Sequence, residues 1–472
     1  MSKFYTRFVL ICILIFSTYL LTSQIEIEWK AIEGTVNARL EEANLKIKLQ
    51  KFVSQLEDIA YKQQYLHYTP KDFNIIGNGT TDDTANIQLA FNTMKDGDSI
   101  KMKGSYLINK KIIISKKIKI YGNPTFIVDD NFDLQGTNSF ILFRIIVDKV
   151  ELENVSFLIN KFVGARQNNA FIWCSNGGTR ISKCNFKNLP LTGNNFNGAI
   201  AFLAGGAGFN KVGKCKFEAC TGGVFTQQPH DIIENNIAIN PKDVSFVING
   251  PNAHDDSIKN NKVYSDGTTS AAGSIAIEQG AGNFEIAGNY IYGIRNGYGV
   301  GIVDVGGYTA VGVYGLVHNN IIDGANFVST NGQAGLKTDS YYDGIKIYNN
   351  IIKNIGSGHP SNSPVQLAVS DCDFYNNKIK QTDGNIGITI NGAIDRAKTL
   401  KLTNNDIDNN SKSWAIKISG KFRNSIIKIQ ECEISNAIEG INSVSCSVIS
   451  DLILDNNKFK TVTTPVNGSF SY

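Results

Sequence analysis

Proline is scarce in this chain of 472 residues, nine in all, with three tryptophans and three methionines. So little proline beside 42% hydrophobic residues is unlike a disordered or linker-like chain and fits a long ordered domain. No block of clustered Lys and Arg appears, and the net charge is only +4. That excludes a nucleic-acid footprint while leaving an acidic ligand compatible. There is no Cys-x-x-Cys pair and no His/Cys spacing of a structural zinc site. The segments between apolar stretches are also too short for the crossover helices of an α/β fold. The longest apolar run, residues 8–21, is too short for an ordinary membrane span.

What the chain has in abundance is repetition. Alternating apolar residues lead into an Asn and resume after it: LENVSF at Asn154, IIENNIAI at Asn236, IKNNKVY at Asn261 and IAGNYIY at Asn289. The unit returns at Asn320, Asn350, Asn377, Asn405 and Asn457, and three copies carry Cys184, Cys215 or Cys432 in that slot. The mean spacing of these anchors is near 27.5 residues, a period that means a solenoid. Period-2 alternation rich in β-branched residues marks strands, and a second strand follows each anchor, as in SIAIEQG, VGIVDVG and AGLKTDS. The expected architecture is an all-β solenoid, a parallel β-helix of about 12–14 coils at ~4.8 Å per rung. An amide carries both a donor and an acceptor, so the aligned Asn side chains are expected to bond one another as a ladder.

The ends differ from the repeat. Lys3 and Arg7 precede the apolar run 8–21, so residues 1–24 are expected to be a secretory signal peptide or an uncleaved signal anchor. Residues 25–66 are charged, with apolar positions at steps of three and four, as in a helical stalk or a coiled coil able to join copies, for instance as a homotrimer. The location implied is secreted or membrane-anchored outside the cytoplasm, on a virion or a cell surface.

The stretch DFNIIGNGTTDDTANIQ, from Asp72 to Gln88, resembles the opening segment of the pectate-lyase-like β-helix superfamily. That superfamily includes polygalacturonase-like, rhamnogalacturonase- and epimerase-like proteins and phage tailspikes. Asn74 and Asn78 depart from its usual Gly and Asp. The resemblance implies a right-handed single-stranded β-helix, with residues 67–125 as N-terminal cap and first coils and 126–472 as the body. It also implies polysaccharide as the partner. Thr81-Asp82-Asp83-Thr84 reads as N-cap chemistry before a helix that covers the open end of the rod, rather than as a catalytic pair.

Chemistry is expected on outward positions where the coils are long. In SIAIEQG the alternation buries Ile275 and Ile277 and turns Glu278 out. Asp304 ends the next strand, and Lys337 and Asp339 point outward from the one after. Adjacent coils would therefore gather Glu278, Asp304, Lys337 and Asp339. Clustered carboxylates split their pKa values and can serve as general acid and base, in hydrolysis of a glycosidic bond. Alternatively Lys337 abstracts a proton while the carboxylates hold Ca2+ against an acidic sugar, as in a lyase. Tyr298, Tyr308, Tyr341 and Tyr342 are candidates for sugar stacking, and His359 for a subsite, since polygalacturonases keep a Gly-His-Gly in a similar place. Pro360 replaces the second Gly, and the polygalacturonase Arg-Ile-Lys has no counterpart, so a standard polygalacturonase is disfavoured. A non-catalytic glycan-binding spike or adhesin is the competing expectation. His254-Asp255-Asp256 is read as a solvated turn.

Overall fold

A computed structural model describes residues 66–468, apart from 163–167, 191–197, 269–272, 296, 304–313, 329–332, 340–341, 357–358, 360–361, 369–370, 382–385, 393–397 and 411–413. The signal and stalk expected over residues 1–65 lie outside the described residues. No helix among the described residues is long and apolar enough to cross a membrane.

Each turn of the chain lays down three short strands, and every strand pairs in parallel with its counterpart one turn later. In one turn these are Tyr290–Tyr292, Gly297–Val303 and Gly315–His318. They pair with Ile321–Asp323, Gln333–Thr338 and Ile345–Tyr348. The result is a β-solenoid of about 12 turns with three faces, called here the first, second and third sheets in that order.

Alternation decides what fills the interior. In Gln333–Thr338 the residues Ala334, Leu336 and Thr338 are buried, while Lys337 stays half-exposed. The inward column of the first sheet includes Phe126, Phe157, Phe186 and Phe217 in register. Their rings stack at 5.6, 5.0 and 5.1 Å between centroids. The column continues through Ala238, Val263, Ile291, Ile322, Ile352, Ile379 and Ile407. Identical residues stacked at strand spacing form one continuous core that no single turn could build.

The corner between the third and first sheets explains the repeated Asn. A residue with positive φ (Asn235, Asn260, Asn319, Asn349, Asn376 or Asn404) turns the chain. The Asn that follows is buried. The Oδ1 of Asn320 accepts from both the backbone N–H and the side-chain amide of Asn289, each at 2.9 Å. Asn320 donates in turn to the Ile286 carbonyl at 3.0 Å and to Asn350 Oδ1 at 2.9 Å. The expected ladder runs from Asn236 to Asn405 in this form.

Asn154 does not belong to it. Its φ is +58, which makes it the turning residue, and Val155 fills the inward slot. Both positions favour Asn for different reasons, one for its left-handed backbone and one for its amide. A lone Asn beside Val therefore slips the count by one residue. Cys184, Cys215 and Cys432 do occupy the slot, and all are buried free thiols.

The α-helix Thr84–Thr93 lies where the Asp82/Asp83 pair places it, with Ile87, Ala90 and Phe91 buried in the core. Its N-cap residue Asp83 makes no side-chain cap bond. The buried Asp83 carboxylate instead accepts the N–H groups of Ile76 and Gly77, at 2.8 and 2.9 Å. Asp82 holds the helix start, accepting from the Thr84 N–H at 3.0 Å and from its hydroxyl at 2.5 Å. The acidic pair is thus structural, with the two roles exchanged from a simple cap.

Candidate functional site: two outer faces of the rod

The second sheet carries the expected carboxylates on its outer face. Strand pairing puts Asn249 beside Glu278 and Glu278 beside Val303. Asp339, whose N–H donates to the Ile302 carbonyl, continues that column on the next turn. Glu278 and Asp339 therefore share one outward column, separated by a turn that contributes Val303 rather than an acid. Lys337 stands in the neighbouring column, paired with Gly301 and Gln366. Its ammonium lies 3.9 Å from the Asp339 carboxylate, a half-exposed pair worth little by itself. Asp304, Tyr308 and Tyr341 lie outside the described residues.

Glu278 sits in a polar chain along the sheet. Gln227 donates its amide to Asn249 Oδ1 at 3.1 Å, and Asn249 donates to Glu278 Oε2 at 3.1 Å. Burial holds the Glu278 carboxyl above its ordinary pKa, against the Asn249 bond, which favours ionisation, and the nearby Asp243 charge adds to the rise. Asp243 is itself raised by burial. Asn249, Gln227 and Asp243 were missed in the sequence reading. The alternation in VSFVING and GGVFTQQ carries the outward positions of the first two, but nothing local marks Asp243.

The tyrosines divide. A side chain built on Gly301 or Gly273 would strike the Tyr298 ring, at 2.3 and 2.5 Å, so the ring lies flat across the sheet at those two glycines. It packs beside the buried outward cluster of Phe225, Val247 and Ala276. Tyr342, expected to stack on sugar, is fully buried in the core cluster. The Gly280 N–H donates to its hydroxyl at 3.3 Å, and that hydroxyl donates to the Val303 carbonyl at 3.4 Å. Enclosed in this way it has no ring face for a ligand. The structure does not bring His359 to the carboxylates: it precedes the strand Ser363–Ala368, whose far end aligns with Asp339.

The corner where the chain enters the third sheet carries a second concentration of ionisable groups. His230, His254 and Asp255 bring three metal-binding atoms within 4.8 Å of one another. They adjoin an open groove of about 710 Å³ whose lining includes Phe209, Asp256, Lys259 and Glu285. Beneath, at the corner between the second and third sheets, Asp231 and Asp256 are buried. Burial pushes Asp231 up to about 7 and Asp256 up to about 8. Spacing hides this cluster in the sequence, since the two histidines are neighbours only because one short turn of the coil separates them.

No known family profile matches the sequence, and no curated protein matches it. Solved structures do. A mutant tailspike protein of Escherichia coli bacteriophage HK620 in complex with a hexasaccharide superposes with a TM-score of 0.53 at 13% identity, over 84% of this chain and 78% of that one. Another mutant of that tailspike, with a pentasaccharide, gives 0.51 at 12% identity over 83% and 78%. The A-module of an Azotobacter vinelandii mannuronan C-5 epimerase gives 0.44 at 13% identity over 86% of this chain and all of that module. The chain has the right-handed parallel β-helix fold.

Proposed function

We propose that this protein is an exported carbohydrate-active β-helix that binds a polysaccharide along the outer face of the second sheet and cleaves it by hydrolysis. The observation that carries the reading is Glu278. It is an outward carboxyl, half-buried, held toward its protonated form and anchored by Asn249 in a polar chain. A carboxylic acid kept protonated above its ordinary range is suited to give a proton to a leaving glycosidic oxygen. Asp339 stands two rungs away in the same column, about 10 Å between backbones at ~4.8 Å per rung. That leaves room for a water between the two carboxyls, the arrangement of an inverting hydrolase. The oligosaccharides on the tailspikes of the same fold support a glycan as ligand.

In this reading Glu278 is the acid and Asp339 the base, with Asp304 beside them. Lys337 and Tyr298 border the site, while Tyr308, Tyr341 and His359 are candidates for outlying subsites. Residues 1–24 direct export or anchor the chain at a surface, residues 25–66 join copies, and the Thr84–Thr93 helix closes the first rung. A second reading is glycan binding without cleavage, with the half-exposed Tyr298 ring flat on the sheet as a contact surface.

The test is a panel of surface polysaccharides, scored for reducing ends, for the ultraviolet absorbance of a new double bond and for binding. Hydrolysis predicts saturated product. Glu278→Gln is expected to lower turnover by about 10²–10⁴-fold while leaving binding within about threefold. Because the folded carboxyl titrates above its ordinary value, wild-type activity should fall as pH rises through that raised pKa, on a limb absent from any residual activity of Glu278→Gln. Unsaturated product would replace hydrolysis with a lyase reaction at Lys337, and its dependence on Ca2+ would then be measured. Binding without product, unchanged in Glu278→Gln, would overturn catalysis and leave the spike.

A further inference from the structure

We propose that the corner between the second and third sheets holds a binding site for a divalent transition-metal ion of the zinc class, made by His230, His254 and Asp255. It is separate from the Glu278 face of the second sheet and does not depend on the reading of that face. Asp255 Oδ2 lies 2.9 Å from His254 Nδ1 and 3.6 Å from His230 Nδ1, and each of the three residues offers a ligand atom within 4.8 Å of those of the other two. Ligand atoms around a tetrahedral zinc, with bonds of about 2.0–2.1 Å, stand about 3.3 Å apart. The three atoms are therefore close to the separations that the ion requires, and two imidazoles with one carboxylate match its preference in donor type.

The backbone holds this arrangement in place. His230 and Asp255 are turning residues on successive coils, with φ of +60 and +59. The His230 N–H donates to the His254 carbonyl at 2.8 Å, and the Asp255 N–H donates to the Gly282 carbonyl at 3.2 Å. Phe209, on the preceding coil, stacks on the His230 imidazole at 4.6 Å, and the His230 and His254 rings meet edge to face at 5.2 Å. Asn283, on the following coil, reaches the Asp255 carboxylate.

A second observation points the same way. Asp256 lines the adjoining groove, is 2% exposed, and keeps one carboxylate oxygen with no hydrogen-bond partner. A buried polar atom left unsatisfied beside a ligand cluster is costly unless something fills its shell, such as a water ordered around an ion. Three protein ligands with an open side are the pattern of a site that keeps a coordination position for an exchangeable ligand. Here that position faces the groove bordered by Lys259 and Glu285.

Binding requires both imidazoles neutral, and replaces the proton shared by His254 and Asp255. Titration of the full-length chain with Co2+ at neutral pH, followed by visible absorption and by calorimetry with Zn2+, is expected to give one ion per chain. His230→Ala and His254→Ala should each weaken that binding about 100-fold or more, and acidification below the histidine range should release the ion. The metal should also raise the melting temperature of the wild type but not of the variants. Because all three side chains are partly exposed, the variants should keep wild-type circular dichroism without metal. Should either histidine variant fail to fold, Asp255→Asn provides the comparison. Absence of saturable binding, or binding that survives these substitutions, would overturn the site.

Discussion

The corner between the third and first sheets is built in two materials along the same rod. From Asn236 to Asn405 it is amide, each side chain completing the hydrogen bonds of the one before. From Val155 through Cys184 to Cys215 it is apolar or thiol, and the column beside it is the stack of Phe126, Phe157, Phe186 and Phe217. The backbone turns alike in both stretches, with a positive φ at Lys183 and Lys214 as at Asn319 and Asn349. The corner therefore does not need an amide; it needs its buried N–H groups and its volume dealt with. One stretch does so by hydrogen bonding and the other by packing, and the two should fail in different ways.

The largest expected effect lies in the amide stretch. Asn320→Ala removes the acceptor of the Asn289 N–H and amide and the donor to the Ile286 carbonyl, all in a buried corner. A stranded buried polar group costs about 1–3 kcal/mol, so a loss of about 4 kcal/mol is expected from denaturant unfolding. A loss under about 1 kcal/mol would mean that water replaces the amide, and the ladder would no longer distinguish the two stretches. In the packed stretch the corresponding break is Phe186→Ala, which opens a cavity between Phe157 and Phe217. About 3 kcal/mol is expected there. Phe186→Leu should recover most of it, whereas Asn320→Leu should recover little, because volume is not what the amide supplies.

The contrast also explains what the sequence reveals. The amide stretch is legible because chemistry and spacing coincide: only Asn satisfies both neighbours, so it recurs and serves as a ruler. Counting from it assigns Glu278, Asp304, Lys337 and Asp339 to consecutive coils; the strand register puts Glu278 and Asp339 two rungs apart in one column, with Lys337 in the next. The corner of the packed stretch accepts Val or Cys, so no single residue type marks its register throughout, and Asn154 is misread there by one position. Burial from above is equally silent. The alternation turns Glu278 outward, but it does not reveal that Tyr298 lies flat on Gly273 and Gly301 or that Tyr342 enters the core. The cluster at His230 and His254 is hidden for a related reason. The two residues are 24 positions apart and lie on a corner, where the period-2 pattern that reveals strand faces has ended.

The smallest effect is the sharpest test of the comparison, because it converts one material into the other. Cys215 already sits at the seam: its N–H donates to Asn236 Oδ1 at 2.9 Å, while its buried thiol makes long contacts to carbonyls at 3.5 and 3.7 Å. Burial pushes that thiol well above its ordinary pKa, so it stays a neutral, weak donor. In Cys215→Asn the new amide can donate to Asn236 Oδ1 and to the Ile181 carbonyl, the partners that the ladder's geometry provides at every later turn. Its oxygen can accept from the Cys184 N–H. Stability should therefore change by less than about 1 kcal/mol, and the sign should favour the variant if the ladder propagates. The same change one coil earlier, Cys184→Asn, lacks an amide at position 215 to receive it and should cost about 2 kcal/mol; the double substitution should recover that cost. Additive losses would show that the Phe stack, not the missing amide neighbour, keeps polar side chains out of this half of the rod.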